Sequence, residues 1–187
     1  YVKRCVGMPG DSLQLVDNQL YINGELQKNP EHMQLNYYVE TSSMLSEDQF
    51  RLLGVSKEDR EIEMNADVLS YVGFTPNESG QFNNVYLMPL TQKSVEIAKK
   101  ISVVKNVRVQ PDIYRPSYYP LGSQTGWNRD NYGPIWIPKK GATIELNEWN
   151  LALYNRCIRN YEGNTLEVKD GQVYINGKPE TTFTFKY

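Results

Sequence analysis

Few residues in this 187-residue chain could do chemistry, and most of them stand alone. Cys5 and Cys157 are its two cysteines and His32 its one histidine, and none of them shares a metal-ligand spacing with another. No metal site is expected. Each thiol should be buried and reduced, and His32, in Asn29-Pro30-Glu31-His32, should be a loop residue. Lys3, in Tyr1-Val2-Lys3-Arg4, is one lysine among many. An amine accepts a proton near neutral pH only when its pKa falls well below the ordinary value of about 10.4, as burial among apolar neighbours can bring about. A lone lysine in a strand is ordinarily a solvated side chain, so residue type alone does not make Lys3 functional.

The elements that would position it read as strands. The chain writes GDSLQLVDNQLYING over 10–24 and GNTLEVKDGQVYING over 163–177, an offset of 153. The spacing predicts strands over 2–6, 12–16 and 19–22, with Met8-Pro9-Gly10-Asp11, Asp17-Asn18 and Asn23-Gly24 as turns. The second copy predicts strands over 165–168 and 173–175 around Asp170-Gly171, then Asn176-Gly177. Each copy is a compact meander with no chemistry in the shared letters. Before the second copy, Trp149, Leu153, Cys157 and Tyr161 recur every four residues. They predict an amphipathic helix over 148–161, with Asn147 as N-cap and Gly163 beyond its end.

Between the copies the character changes. Ser46 and Gln49 form a capping-box signal for a helix ending at Gly54, and Val95, Ala98 and Ile101 predict a helix over 91–101 followed by a strand over 102–109. Residues 77–84 read as a loop and 111–134 as irregular structure rich in Pro, Gly, Tyr and Asn. The fold class expected is mainly β: a β-rich core from 1–26 and 134–187, a few short helices, and an inserted α+β or β subdomain over 27–133. The chain starts at Tyr1 without Met and stops in the strand-like run 183–187, so both ends read as cut and an excised fragment is expected.

Composition narrows the partners. A formal net charge of −2 and a pI near 5.6, without a Lys/Arg stripe, argue against nucleic acid. No window of 18 apolar residues occurs, so no membrane span is expected within this sequence. No cofactor is implied.

The block YVKRCVGMPGD changes the standing of Lys3. It resembles the lysine-bearing box of type I signal peptidases, membrane-anchored Ser-Lys endopeptidases, which reads Y-[IV]-K-R-x-[VI]-G-[LM]-P-G-D and runs on to Y-[IV]-N-G. Tyr1, Val2, Lys3, Arg4, Val6, Gly7, Met8, Pro9, Gly10 and Asp11 fit, as do Tyr21, Ile22, Asn23 and Gly24. The resemblance implies Lys3 as general base and Tyr1 and Val2 as substrate contacts, with Val2 helping to form shallow pockets for small residues before the cut. Arg4 and Asp11 would be structural, and Gly7, Pro9 and Gly10 would serve the turn. In a regular strand Cys5 would share the Lys3 face, and Arg4 would point away.

The resemblance further implies signal peptides of exported preproteins as substrates and a location at the cytoplasmic membrane, with the catalytic part on the extracytoplasmic side. The nucleophilic serine and the anchor would stand upstream of the box, and a G-D-N-R…S-x-D-S-R box downstream. Gly126-Trp127-Asn128-Arg129-Asp130 only looks like the latter, and Ser43-Met44, the nearest approach to the S-x-[ML] context, stands on the wrong side of Lys3. By itself the fragment should be inactive. The competing readings are a self-cleaving repressor-type Ser-Lys protease, disfavoured by the Gly-Met-Pro-Gly-Asp turn and the insertion, and an extracytoplasmic β-module that only binds.

Overall fold

A computed structural model describes residues 5–113, 118–120 and 125–186. In chain order the strands and helices are β1 Ser12–Val16, β2 Gln19–Ile22, β3 Glu25–Leu26, β4 Gln34–Thr41, α1 Glu47–Leu53, β5 Glu61–Ile62, α2 Ala66–Val72, β6 Asn84–Thr91, α3 Gln92–Ala98 and β7 Val104–Val109. There follow β8 Tyr132–Trp136, β9 Thr143–Glu145, α4 Glu148–Arg156, β10 Leu166–Lys169, β11 Gln172–Ile175, β12 Lys178–Pro179 and β13 Thr182–Thr184. All strand pairs are antiparallel and every helix is short, the β-rich class expected from the sequence. The chain divides into two compact units, Tyr1–Lys28 with Asp112–Tyr187, and Asn29–Pro111.

In the first unit the strand order β3-β2-β1-β8 starts from the first meander. Leu13 faces Ile22, Leu15 faces Leu20 and Val16 faces Gln19. The second meander, β10-β11-β12, repeats this register at the same offset, Leu166 opposite Ile175 and Val168 opposite Val173. Asp17 and Asn18 (φ 48° and 65°) and Asp170 and Gly171 (50° and 76°) close the two hairpins with left-handed turns that match strand twist. β8 joins β1 through a register shift between Leu13 and Leu15. Gly133 permits this approach: at φ +89° a Cβ there would stand 2.6 Å from the Leu13 carbonyl oxygen.

The sequence reading ended the insertion at 133, whereas residues 112–133 group with the first unit. The described part of that stretch is tied in by Asp130, whose carboxylate accepts the Asp112 N–H and whose carbonyl accepts the Asn18 N–H at 2.9 Å. The unit's core gathers Leu146, Leu153, Tyr154, Ile158, Val173, Ile175, Phe183 and Phe185. Within it, Trp136, Tyr154 and Phe185 meet edge to face in pairs with centroids 6.1 Å apart.

Asn147 caps α4 through the Asn150 N–H at 2.8 Å, as its sequence predicts. The helix then changes: α4 ends at Arg156, and Cys157–Tyr161 forms a π-helical turn. Leu153, Tyr154 and Ile158 enter the core and Cys157 packs against it, while Trp149 and Tyr161 are 49% and 71% exposed. Only the middle two residues of the four-residue stripe therefore face the core. Cys5 is exposed and Cys157 half-buried, so the expectation of burial fails for Cys5, and both thiols are free. Of the strand expected over 2–6, Cys5 and Val6 are exposed and outside any strand, and the rest lies outside the described residues.

In the second unit the strand order is β5-β6-β4-β7. Along β4, Tyr38 joins one apolar cluster with Leu69, Phe74 and Val85, and Val39 joins another with Phe50, Leu53, Tyr86 and Met88. A sheet covered on both faces explains why alternation is lost after Tyr37 in β4 and why β6 carries an almost continuous apolar run. Ser46 and Gln49 form the capping box of α1, and Gly54 closes it in the left-handed region. Glu40, buried on β4, accepts the side-chain amides of Asn83 at 2.7 Å and Asn106 at 2.6 Å, a satisfied polar pair in place of a charge partner.

Candidate active site

Lys3, Tyr1 and Val2 lie outside the described residues. What the structure describes is the turn onto which their segment runs. Met8-Pro9-Gly10-Asp11 closes with the Asp11 N–H donating to the Met8 carbonyl at 2.9 Å. Gly10, at φ +98°, occupies the position after proline that a type II turn reserves for glycine. The Asp11 side chain closes the turn a second time: its Oδ2 accepts the Met8 N–H at 2.8 Å. The turn is fixed from outside as well, because Gly10 N–H donates to the Ile137 carbonyl and Ile137 N–H to the Asp11 carbonyl, both at 2.8 Å.

Asp11 also joins the two ends of the motif. Its Oδ1 accepts the Asn23 amide at 2.9 Å, Asn23 Oδ1 accepts the Ser12 N–H at 2.8 Å, and the Asn23 N–H returns to the Ser12 carbonyl at 2.8 Å. The P-G-D and Y-I-N-G letters are thus two halves of one clasp. The Met8 N–H, and then the Asn23 amide, hold the Asp11 carboxyl below its ordinary value, so it is ionised at neutral pH. The second meander carries the equivalent clasp. Asn176 donates to Asn164 Oδ1 at 2.8 Å, and Asn176 Oδ1 accepts the Thr165 N–H at 3.0 Å. Sequence reasoning saw the repeat and missed the clasp; the signal was present as Asp or Asn after glycine, paired with Asn before glycine twelve residues on.

Asn128 Oδ1 accepts the N–H groups of Asp130 and Asn131, and Asn131 bonds both the amide and the carboxylate of Asp17, so the Gly126–Asp130 look-alike is a loop fastener for the β1–β2 turn. Ser43 is exposed in the second unit. Met44, beside it, receives the Tyr86 hydroxyl at 3.4 Å. An apolar cleft of about 290 Å³ in the first unit is lined by Tyr119, Trp136, Ile137, Leu153, Tyr154 and Cys157. Burial pushes the Cys157 thiol up, so it stays protonated at neutral pH and cannot supply a thiolate nucleophile. The Tyr119 hydroxyl is engaged by the Leu153 carbonyl. Among the described residues no group of three or more His, Cys, Asp or Glu could hold a metal ion, and no helix is long and apolar enough to cross a membrane.

The lysine box and its clasp lie within the part of the chain, residues 1–105, that matches the family model described as signal peptidase, peptidase S26. The match spans more than half of the sequence, and the chain belongs to that family. At this level it is a signal peptidase-like protease of the serine-peptidase type. Neither the curated proteins nor the solved structures contain a significant match to the chain.

Proposed function

We propose that these residues form the lysine-bearing part of a type I signal peptidase, a membrane-anchored endopeptidase that removes signal peptides from exported preproteins with a Ser-Lys dyad. The observation that carries the reading is the unbroken fit of YVKRCVGMPGD to the family's lysine box, inside the matched region. Lys3 is the general base. In the neutral form it takes the proton of the serine hydroxyl as that oxygen attacks the scissile carbonyl, then returns it to the leaving amine. Tyr1 and Val2 contact the substrate, whose small residues before the cut suit shallow apolar pockets. By the family's pattern the nucleophilic serine stands upstream of the lysine box. The unit Asn29–Pro111 is a non-catalytic insertion. The enzyme works at the cytoplasmic membrane with its catalytic part on the extracytoplasmic side.

The test is cleavage of a preprotein carrying an A-x-A site by the full-length protein. Lys3→Ala is expected to abolish cleavage, by at least about 10³-fold, with the circular dichroism spectrum unchanged. Wild-type turnover in that variant would sink the assignment of the base.

A further inference from the structure

The chain has two Asn-Gly steps, Asn23-Gly24 and Asn176-Gly177, and each asparagine belongs to a clasp. An asparagine before glycine is where a polypeptide most readily converts its own side chain, since no Cβ on the glycine crowds its nitrogen. The glycine nitrogen attacks the asparagine Cγ, a C–N bond forms, and the side-chain amide leaves as ammonia. Water then opens the cyclic imide to aspartate or isoaspartate.

Packing protects neither step. All four residues are exposed, and a Cβ added to Gly24 or Gly177 would meet nothing within 4 Å. What restrains the reacting group is hydrogen bonding at both ends of the carboxamide. Asn23 Nδ2 donates to Asp11 Oδ1 at 2.9 Å, while its Oδ1 accepts the Ser12 N–H at 2.8 Å. Asn176 Nδ2 donates to Asn164 Oδ1 at 2.8 Å, while its Oδ1 accepts the Thr165 N–H at 3.0 Å. The backbone is pinned as well, with the Asn23 N–H on the Ser12 carbonyl at 2.8 Å and the Asn176 N–H on the Thr165 carbonyl at 3.1 Å. Attack needs the carboxamide to turn until Cγ lies against the glycine nitrogen, and a carboxamide bonded at both ends is not free to turn.

We propose that Asn23 and Asn176 are sites of spontaneous deamidation in this chain, and that Asp11 and Asn164 are the residues that suppress it. Each bond to be released makes the open geometry roughly fivefold rarer, so two bonds slow each site roughly 30-fold against an unstructured peptide. At the first site the change is one-way. The carboxylate formed at position 23 would face the Asp11 carboxylate, acceptor against acceptor, and that bond could not close again.

The experiment follows amide-to-acid conversion at each site by peptide mass mapping of the full-length protein in mildly alkaline buffer, beside free peptides of residues 20–26 and 173–179. In the parent both sites should convert roughly 30-fold more slowly than in the peptides. Asp11→Ala should speed conversion at Asn23 about tenfold and leave Asn176 unchanged, and Asn164→Ala should do the reverse. Each variant keeps the other clasp, so the second site in the same molecule reports general loosening. Asp11→Asn retains an acceptor for the Asn23 amide, as the second clasp does, and should keep the parent rate at Asn23. Parent conversion as fast as in the peptides overturns the proposal. So does acceleration of both sites together, or of neither, in the alanine variants, and so does an Asp11→Asn protein that converts as fast as Asp11→Ala.

Discussion

Asn164→Asp is the most informative change in the second clasp, because it is isosteric and reverses one contact. The new carboxylate would still accept the Asn176 amide from one oxygen. Its other oxygen would face the Ile158 carbonyl across 3.0 Å, acceptor against acceptor. One hydrogen bond of about 1 kcal/mol is lost, and repulsion adds to it, although Ile158 O keeps the Asn164 N–H at 3.2 Å. The expected cost at pH 7 is about 1–2 kcal/mol. Protonation reverses it, because a carboxylic acid can donate to Ile158 O. The folded-state pKa is therefore raised above the ordinary 3.9 or so of an aspartate. A raised acid binds protons more tightly when folded, so the penalty is absent below about pH 4 and appears as pH rises through the raised value. Denaturant unfolding of parent and variant at pH 3.5 to 7.5 measures this, with the parent cancelling every other carboxyl. Trp127, Trp136 and Trp149 all lie in the first unit, so tryptophan fluorescence reports the unit that holds the clasp. A penalty independent of pH, or one that grows on acidification, would refute the account of why this residue is Asn.

Two further outcomes are expected. Gly133→Ala should cost about 2–4 kcal/mol, because its Cβ would meet backbone at 2.6 Å with φ at +89°. Gly141→Ala, at φ +80° in open space, should cost about 1 kcal/mol, and equal losses at the two sites would contradict the close approach of β8 to β1. Tyr154 donates to the Trp136 carbonyl at 2.9 Å, and burial pushes its hydroxyl up to about 12. A raised phenol favours the neutral folded form, so its contribution is full below about pH 10 and is lost as pH climbs from 10 to 12. Tyr154→Phe should remove that part of the alkaline slope in urea midpoints between pH 9 and 11.

The sequence made some of this legible for identifiable reasons. Hairpins were readable because Asp-Asn, Asp-Gly and Asn-Gly carry their own backbone preference, and both meanders form around those turns. Caps were readable for the same local reason, at Ser46 and Asn147. The clasps were not, since they depend on side chains meeting across a turn and a hairpin. The expected helix over 148–161 was only partly right, because a π-helical turn replaces the regular helix after Arg156, which no 3.6-residue period anticipates. In the second unit the later part of β4 and most of β6 lack alternation because both faces are covered. For the site, the letters of the lysine box carried what was readable, and the role of Asp11 emerged only from its partners.

The insertion also bears on the order in which the chain can assemble. Tyr37 pairs with Val109, and the Gln110 N–H reaches the Asn36 carbonyl at 2.8 Å, so the second unit leaves the chain where it entered. Leu15 must find Tyr132 across about 117 residues of chain. Once the contiguous unit has formed, the pair 36 and 110, 74 apart, is already bridged, and the effective loop shrinks to about 43 residues. Loop-closure entropy then opposes β1–β8 pairing by about 0.9 kcal/mol less, roughly a four- to fivefold gain in the closing rate. The second unit would thus shorten the search that pairs β8 with β1.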